Sequence, residues 1–267
     1  MPEFVFLEKW RSFGVVAGFS SREGGVSRSS YASMNLGLHV SDDARAVLDN
    51  RRKIAKILAR PVESFCYAQQ VHGSKVAIIR EKDLGCGSRA YDTAAADADG
   101  LATVLQGAVL SILAADCVPV LFADPKARVV AAAHAGWRGA TGGVVSATVR
   151  AMMQLGARKE RIHVAFGPAI RGCCYEVDEP VLQAVTKATD SRRQIQSQCV
   201  LPSVRGAGYG MLDIPILCRE ELQNFGLDPK LMTDVSICTN CMPGFYSYRR
   251  DHGVTGRHGG FIYMAEV

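Results

Sequence analysis

The chain of 267 residues has no long apolar run and few aromatic side chains, which make up 7% of it. No stretch approaches the roughly 20 apolar residues that cross a bilayer, so we expect no membrane segment. The first residues include Glu3, Glu8, Lys9 and Arg11, which interrupt the apolar segment that a secretory signal needs. These absences predict a cytoplasmic protein.

Histidine and long basic tracts are also scarce. The six histidines are too few for a conventional laccase, which holds several copper ions. The net charge of +5 comes from short clusters such as Arg51-Arg52-Lys53 and Arg249-Arg250, without the long tract of a nucleic-acid-binding arm. The glycines of residues 136–143 lack the Gly-Lys-Ser/Thr ending of a Walker loop. We therefore expect no nucleic-acid partner.

The nine cysteines do not predict a disulfide framework, because their number is odd and the chain is not small. Cys238 and Cys241 have the spacing of a metal-binding pair, but no second such pair exists, so a four-cysteine zinc site is not supported. Cys173 and Cys174 are adjacent in sequence, and adjacent cysteines rarely share one metal ion. We interpret all four as reduced structural or loop thiols.

Length and composition predict one compact domain over residues 1–267, because 48% hydrophobic residues can bury a large core. Continuous apolar runs predict strands buried on both faces at 109–114, 118–123 and 129–133. Shorter strands are predicted at 15–20, 65–70, 75–80, 162–166, 235–238 and 260–264. Helices are predicted at 42–59, capped by Ser41 or Asp42, and at 144–155, 179–188 and 214–225. The sum is a mixed α/β fold with one large sheet system, which the pattern leaves open, closed or sandwiched.

Three side chains that bind soft metals stand beside turn residues or at strand ends: His72, Cys117 and His134. Two imidazoles and one thiolate form a good zinc site, and three protein ligands leave a position for water or substrate. Each residue alone has a simpler interpretation. His72 could be a turn residue, Cys117 a small core residue, and His134 a buried histidine with a hydrogen-bond partner.

The neighbours of these residues favour the metal site. Asp116 precedes Cys117, and a carboxylate in an apolar run needs a charged or hydrogen-bonding partner. After His134, Trp137 and Arg138 add an aromatic plane and a permanent cation. These are the side chains from which sites for anions or heterocycles are often built.

A series of motifs occurs in order along nearly the whole chain. They lie at residues 22–27, 35–37, 50–51, 70–73, 115–120, 134–139, 167–170, 174–177 and 245–250. Together they resemble the laccase-domain family, whose members are described variously as polyphenol oxidases, purine nucleoside phosphorylases and peptidoglycan editing factors. Residues 255–257 also fit, whereas His258-Gly259-Gly260 departs from the usual more apolar continuation.

This resemblance implies a single α/β domain of layered mixed β-sheets with flanking helices. It also implies a zinc site formed by His72, Cys117 and His134. The implied activities are phosphorolysis of adenosine, inosine and methylthioadenosine, and deamination of adenosine, so a purine nucleoside and phosphate are the expected partners. No oligomeric state is predicted.

The catalytic residues are hypothesised to be Asp116, Cys117, His134 and Arg138. Asp116 is the candidate for proton transfer beside the metal. Arg138, together with Arg51, would hold phosphate, because a guanidinium group binds phosphate oxygens in a fork.

The hypothesised substrate-binding residues are Arg22, Asn35, Arg51 and Gln70. Asn35 and Gln70 would fix the ribose or the base through hydrogen bonds. All four belong to the ordered motifs of the resemblance.

Three other classes of function remain open. Copper bound by the same residues could oxidise phenols, since copper binds such ligands more tightly than zinc. Alternatively, Cys117 could be the nucleophile and His134 the base of a hydrolase that acts on a cell-wall precursor. A binding module with structural zinc is the third, and the absence of a fourth protein ligand argues against it.

Overall fold

The computed structural model describes residues 4–189 and 198–266. The strands within these residues are β1 Phe4–Phe6, β2 Val15–Ser20, β3 Phe65–Tyr67, β4 Val76–Ile78, β5 Gly100–Thr103, β6 Val109–Ala114, β7 Val118–Asp124, β8 Val129–Ala135, β9 His163–Phe166, β10 Glu176–Asp178, β11 Val200–Pro202, β12 Tyr209–Leu212, β13 Met232–Asp234 and β14 His258–Met264. The helices are α1 Glu8–Arg11, α2 Ala44–Ile57, α3 Trp137–Thr141, α4 Val144–Gln154, α5 Glu179–Thr189 and α6 Ile214–Phe225.

The strands form two large sheets and a small one. The first has the order β1-β2-β14-β6-β3, the second β13-β9-β7-β8-β5-β4, and the small one β10-β12-β11. The continuous apolar runs predicted as buried strands are confirmed as β6, β7 and β8. Every residue of these three strands is buried, because both faces of each strand are covered.

The two large sheets pack face to face, and helices cover their outer faces. Leu121 and Ala132 of the six-stranded sheet share a core with Ile112 of the five-stranded sheet. The alternate residues of β7 and β8 point to the other side, toward α4, α5 and α6. Ile54 of α2 packs with Phe65 on the outer face of the five-stranded sheet. The predicted mixed α/β fold with layered sheets is therefore confirmed, and the sheet system is divided into two layers.

Two local predictions were wrong. The cap of α2 is Asp43, whose side chain accepts the backbone N–H of Arg45 at 2.9 Å; Asp42 instead accepts the amide of Asn35. The strand predicted at 235–238 lies earlier, at Met232–Asp234, where it pairs in parallel with β9. Beyond β13 the pairing continues only as backbone hydrogen bonds and an isolated bridge between Ala169 and Cys238.

Several strands of the six-stranded sheet begin or end at the same edge of the sheet, so the loops joined to them lie close together. β7 and β8 are antiparallel, with Val118 opposite Ala135, so β7 begins where β8 ends. β5 begins at the same edge, since Gly100 pairs with Ala133, and parallel β4 begins beside it. The turns at 71–73, 115–117 and 136–139 therefore meet there. Among the described residues, no helix is both long and apolar enough to cross a bilayer.

Candidate metal centre

His72, Cys117 and His134 meet at this edge of the sheet. Their ligand atoms all lie within 4.8 Å of one another. The two imidazole rings have centroids 4.8 Å apart and planes inclined by 78°. The structure therefore brings together the three residues that the sequence predicted as metal ligands.

The three side chains differ in their exposure to solvent. His134 lies near the end of β8 and is 3% exposed, Cys117 is half-buried, and His72 is exposed on its turn. The centre is thus closed on the side of the sheet and open on the side of His72. A substrate would approach from that side.

Asp99, just before β5, holds the two histidines in place. Its carboxylate lies 2.8 Å from Nδ1 of His134 and accepts the backbone N–H groups of Val71, His72 and Gly73 at 2.7–3.1 Å. A carboxylate can only accept, so Nδ1 of His134 carries the proton and its Nε2 is left to bind a metal. Carboxylates in this position orient metal-binding histidines and raise their basicity.

The three side chains also change one another's protonation. Burial acts to raise the pKa of Cys117, but His134 and His72 outweigh it and lower that pKa to about 6. Burial acts in the opposite sense on His134, whose pKa the Cys117 thiolate and Asp99 raise to about 9. Without metal, a thiolate beside an imidazolium is therefore the favoured state. A thiolate is the form in which cysteine binds metals.

Gly136, between β8 and α3, leaves the space that the ligands need. A Cβ atom at this position would lie 2.9 Å from Sγ of Cys117 and 2.9 Å from Cδ2 of His72. Any side chain would push against both ligands. Gly139 has a related role, since its Cβ would lie 3.0 Å from the carbonyl oxygen of Gly73.

Asp116 lies beside the centre on a strained backbone. Its φ is 88°, in the left-handed region that non-glycine residues rarely occupy. Its carboxylate accepts the hydroxyl of Thr239 at 2.6 Å and the backbone N–H of Arg249 at 2.7 Å. These two donors are the partners that the sequence required for a carboxylate in an apolar run, and they orient it.

A groove of about 470 Å³ is lined by residues that include Trp137, Tyr175, Glu176, Asp178, Arg205 and Arg249. The Arg249 guanidinium lies 5.0 Å from the centre of the Tyr175 ring. Burial, and then the charge of Cys117, raise the pKa of Tyr175 to about 12. The Tyr175 phenol is therefore within electrostatic range of Cys117. The groove therefore offers flat aromatic faces and side-chain charges of both signs, with Arg205 paired to Glu176.

Arg138 is exposed at the start of α3, with its guanidinium 4.2 Å from the centre of the Trp137 ring. Its charge acts on Tyr175 across the groove.

The other predicted binding residues are engaged with the protein itself. Arg51 is 4% exposed and donates to the carbonyl oxygens of Leu36, Gly87 and Ser88, and its guanidinium lies 3.9 Å from the centre of the Tyr67 ring. These contacts join α2 to two loops. Because these carbonyl oxygens occupy its guanidinium, we do not propose Arg51 as a phosphate ligand.

Asn35 and Gln70 likewise use their amide groups internally. Both amide atoms of Gln70 bond to the backbone of Leu113, at 2.7 and 2.9 Å. The Asn35 amide bonds to Asp42, and its oxygen accepts the backbone N–H groups of Gly37 and Arg257.

Arg22 lies against an aromatic ring. Its Nε donates to the carbonyl oxygen of Ala32 at 2.8 Å, and its guanidinium lies 4.7 Å from the centre of the Tyr246 ring. These contacts hold the loop after β2.

The whole chain can now be compared with known proteins. Residues 16–265 match the family described as multi-copper polyphenol oxidoreductase laccase. The chain belongs to this family. The resemblance predicted from the ordered motifs is therefore confirmed.

Similar proteins within the laccase family carry other activities in their names. Purine nucleoside phosphorylase YlmD of Geobacillus stearothermophilus is 38% identical over 93% of this chain and 90% of its own, and its crystal structure superposes with a TM-score of 0.87. Adenosine deaminase RL5, from an unknown prokaryotic organism, is 33% identical over 94% of each chain. The crystal structure of the hypothetical protein YfiH of Bacillus licheniformis is 34% identical, covers 99% of this chain and 97% of its own, and gives a TM-score of 0.93.

The metal-ligand set suits one ion better than the several copper ions of the family description. Of the six histidines, His72 and His134 belong to the centre, and the cluster found there in the described part of the chain has three members. One thiolate and two imidazoles, with the space kept by Gly136, fit a single zinc or copper ion with an open position.

Sequence reasoning missed two residues of this laccase-family site. Asp99 was assigned no role from the sequence, although a carboxylate beside the apolar Gly100–Thr103 strand was the available signal. Arg257 was seen only as part of a motif. The positive charge of Arg257 lies within electrostatic range of Cys117 and Asp116. Its guanidinium donates to the carbonyl oxygens of Thr255 and Gly256.

The four cysteines interpreted from the sequence as reduced structural or loop thiols lie together in the structure. Cys173, Cys174, Cys238 and Cys241 form one cluster, with all four sulfur atoms within 4.8 Å of one another. The spacing in sequence could not show this, because parallel strands β9 and β13 bring the two pairs together from positions more than 60 residues apart.

Proposed function

We propose that this protein is a zinc-dependent purine nucleoside phosphorylase that also deaminates adenosine. The observation that carries the proposal is the three-ligand centre of His72, Cys117 and His134, open to solvent beside a groove lined by aromatic rings and arginines. Similar proteins named as a purine nucleoside phosphorylase and as an adenosine deaminase support it. The proposed substrates are a purine nucleoside and phosphate.

Zinc is proposed over copper because catalytic zinc sites combine three protein ligands drawn from histidine, cysteine and carboxylates with one open position. When bound, the ion supplies a Lewis acid at the mouth of the groove. His134 would bind through Nε2 because Asp99 occupies Nδ1. The thiolate of Cys117 would bind without first losing a proton at neutral pH, since its pKa is lowered to about 6.

The chain's own residues divide the remaining work. Trp137 and Tyr175 present flat faces against which a purine can stack. Arg138 and Arg249 carry the positive charge that phosphate requires. Asp116, held by Thr239 and the Arg249 backbone, is placed to give or take a proton at the base or at an attacking water. Its two protein partners orient the carboxylate before substrate arrives.

A second candidate is a cysteine hydrolase acting on a cell-wall precursor. One observation favours it: the lowered pKa of Cys117 and the raised pKa of His134 are those of a thiolate–imidazolium nucleophile pair. A metal ion on the thiolate would occupy the lone pair that such a nucleophile uses. Metal content therefore separates the two candidates. Copper-dependent oxidation of phenols is the third, and copper loading tests it.

The nine cysteines support a reducing compartment. All nine lie in the described residues, and none forms a disulfide. Because an odd number of cysteines in a chain of this size does not predict a disulfide framework, and thiols stay reduced in the cytoplasm, we propose that the protein acts there.

The deciding experiment is product analysis with metal-quantified protein. Adenosine is supplied with and without phosphate, and the products are separated by chromatography. We expect adenine and ribose phosphate only with phosphate, inosine without it, and loss of both in Cys117→Ala with the fold retained by circular dichroism. Turnover by metal-free protein, or phenol oxidation as the main activity of zinc-loaded protein, would reject the proposal.

A further inference from the structure

The four-cysteine cluster lies apart from the centre of His72, Cys117 and His134. Sγ of Cys241 is 3.3 Å from Sγ of Cys174 and 3.8 Å from Sγ of Cys173. Four sulfurs around a zinc ion, at about 2.3 Å each in a tetrahedron, are about 3.8 Å from one another. The observed arrangement is therefore close to that of a four-thiolate metal site.

These cysteines do not have the surroundings of core residues. Cys173 and Cys241 are exposed, Cys174 is half-buried and Cys238 is buried. By contrast, Cys66, Cys199 and Cys218 are buried, as expected for small apolar side chains. Packing thus explains those three and leaves the convergence of the four thiols unexplained.

The backbone around the cluster is built to hold the two cysteine pairs together. β9 and β13 are parallel neighbours, and the loops that follow them stay paired beyond the strands. Ala169 donates to the carbonyl oxygen of Ile237 at 3.1 Å, and Thr239 donates to that of Ala169 at 3.0 Å. The loops are therefore in register before any ligand binds.

Arg171 holds the loop that follows β9 in place. Its guanidinium bonds to Asp213 at 2.9 Å and to both carboxylate oxygens of Asp234 at 3.0 Å. The carbonyl oxygen of Arg171 accepts the backbone N–H of Cys174 at 2.8 Å. A site in which ligands are already placed loses less conformational entropy when it binds an ion.

We propose that Cys173, Cys174, Cys238 and Cys241 bind a second metal ion, a structural zinc. Four thiolates select soft or borderline ions, and a complete set of four protein ligands leaves no position for substrate. The ion would join the loop after β9 to the loop after β13.

This second site borders the groove through two residues. Thr239, between Cys238 and Cys241, donates to Asp116, and Tyr175, next to Cys174, lines the groove. Zinc bound by the four cysteines would therefore fix one wall of the groove. This effect on turnover rests on the proposed function, whereas binding of the second ion does not.

The test counts metal in the full-length protein, purified with reductant and without added metal. Elemental analysis should find about two zinc ions per chain in the parent and about one in Cys241→Ser, Cys173→Ser and Cys117→Ala. Cys86→Ser, which changes a half-buried thiol outside both clusters, should keep about two. Cys241→His retains a zinc ligand and should restore the second ion.

Cobalt substitution gives a second readout that does not depend on activity. The parent should show intense sulfur-to-cobalt absorption that Cys117→Ala largely retains and Cys241→Ser largely loses. Parent protein with about one zinc, unaffected by Cys241→Ser, would overturn the second site. So would alkylation and mass spectrometry that find Cys174 and Cys241 joined in a disulfide, or copper or iron in place of zinc. Two zinc ions with no nucleoside turnover would instead reject only the proposed function.

Discussion

Asp99 accepts a hydrogen bond of 2.8 Å from Nδ1 of His134, the most buried metal ligand. The backbone of the two residues is joined as well, since His134 donates its N–H to the carbonyl oxygen of Asp99 at 2.7 Å. Because the same carboxylate accepts the N–H groups of residues 71–73, one residue orients His134 and the turn that carries His72. The geometry of the centre therefore depends on a side chain that binds no metal itself.

Asp99→Asn should weaken metal binding by about 10–100-fold, the usual loss when a partner of a metal-binding histidine is removed. The asparagine amide has the shape of the aspartate carboxylate, but its NH2 group would face the N–H donors of residues 71–73 and of His134. Competition with a chromophoric zinc chelator measures the change. Asp92→Asn, in the neighbouring exposed loop, is the matched control and should bind as the parent does. Equal affinity in Asp99→Asn would show that the carboxylate does not support the ligands.

Gly136→Ala should lower the metal content of the centre and nucleoside turnover together while the protein stays folded. The added methyl would lie 2.9 Å from Cys117 and His72. Gly73→Ala is the control on the opposite side, where the nearest atom is Asp99 Oδ2 at 3.5 Å. Metal analysis and thermal melting of both variants check this. A Gly136→Ala protein with normal metal and activity would mean that the ligands move freely.

Arg51→Met should destabilise the fold by about 2–4 kcal/mol, because it leaves three buried carbonyl oxygens without their charged donor. KM for phosphate should not change in the folded fraction. Urea unfolding and steady-state kinetics separate the two effects. The adjacent Arg52→Met, at an exposed side chain, should cost less than about 0.5 kcal/mol. A raised KM with unchanged stability would return Arg51 to the binding site.

Arg138→Ala should reduce kcat/KM for phosphorolysis about 10-fold or more and leave deamination nearly unchanged, if it meets phosphate in the groove. Both reactions are measured on the same preparation. Arg150→Ala on α4, which lines a different groove, is the control. Equal losses in the two reactions would reassign Arg138 to the base or the sugar.

His258 should make the fold sensitive to acid. Burial, with the charges of Arg257 and Arg250, lowers the pKa of His258 to about 3. The unfolded chain would protonate this imidazole near pH 6.5 and the folded chain only near 3. Stability from this group is therefore present above about pH 6.5 and is lost as the pH falls toward 3, by up to about 1.4 kcal/mol per pH unit.

His258→Gln removes that titration. Chemical unfolding of the metal-free parent and variant between pH 7 and pH 4.5 should show a shallower decline in the variant, whatever its stability at pH 7. Parallel curves would mean that His258 has the same pKa in the folded and the unfolded chain.

The amino-acid sequence by itself determined the buried strands and the candidate metal ligands. Continuous apolar runs can be buried only between two covering layers, so β6, β7 and β8 were predictable to within two residues. The candidate metal ligands were predictable from the set of two histidines and one cysteine, because metal affinity is a property of the side chains themselves.

Only the tertiary structure decided which polar groups have partners elsewhere in the chain. Arg51, Asn35 and Gln70 have the chemistry of binding residues, but backbone groups from distant segments occupy them. The pairing of strands likewise brings Asp99 to His134, and one cysteine pair to another. Sequence patterns report the preference of each residue for burial or water, whereas hydrogen-bond partners and metal clusters arise from contacts between segments that no local pattern records.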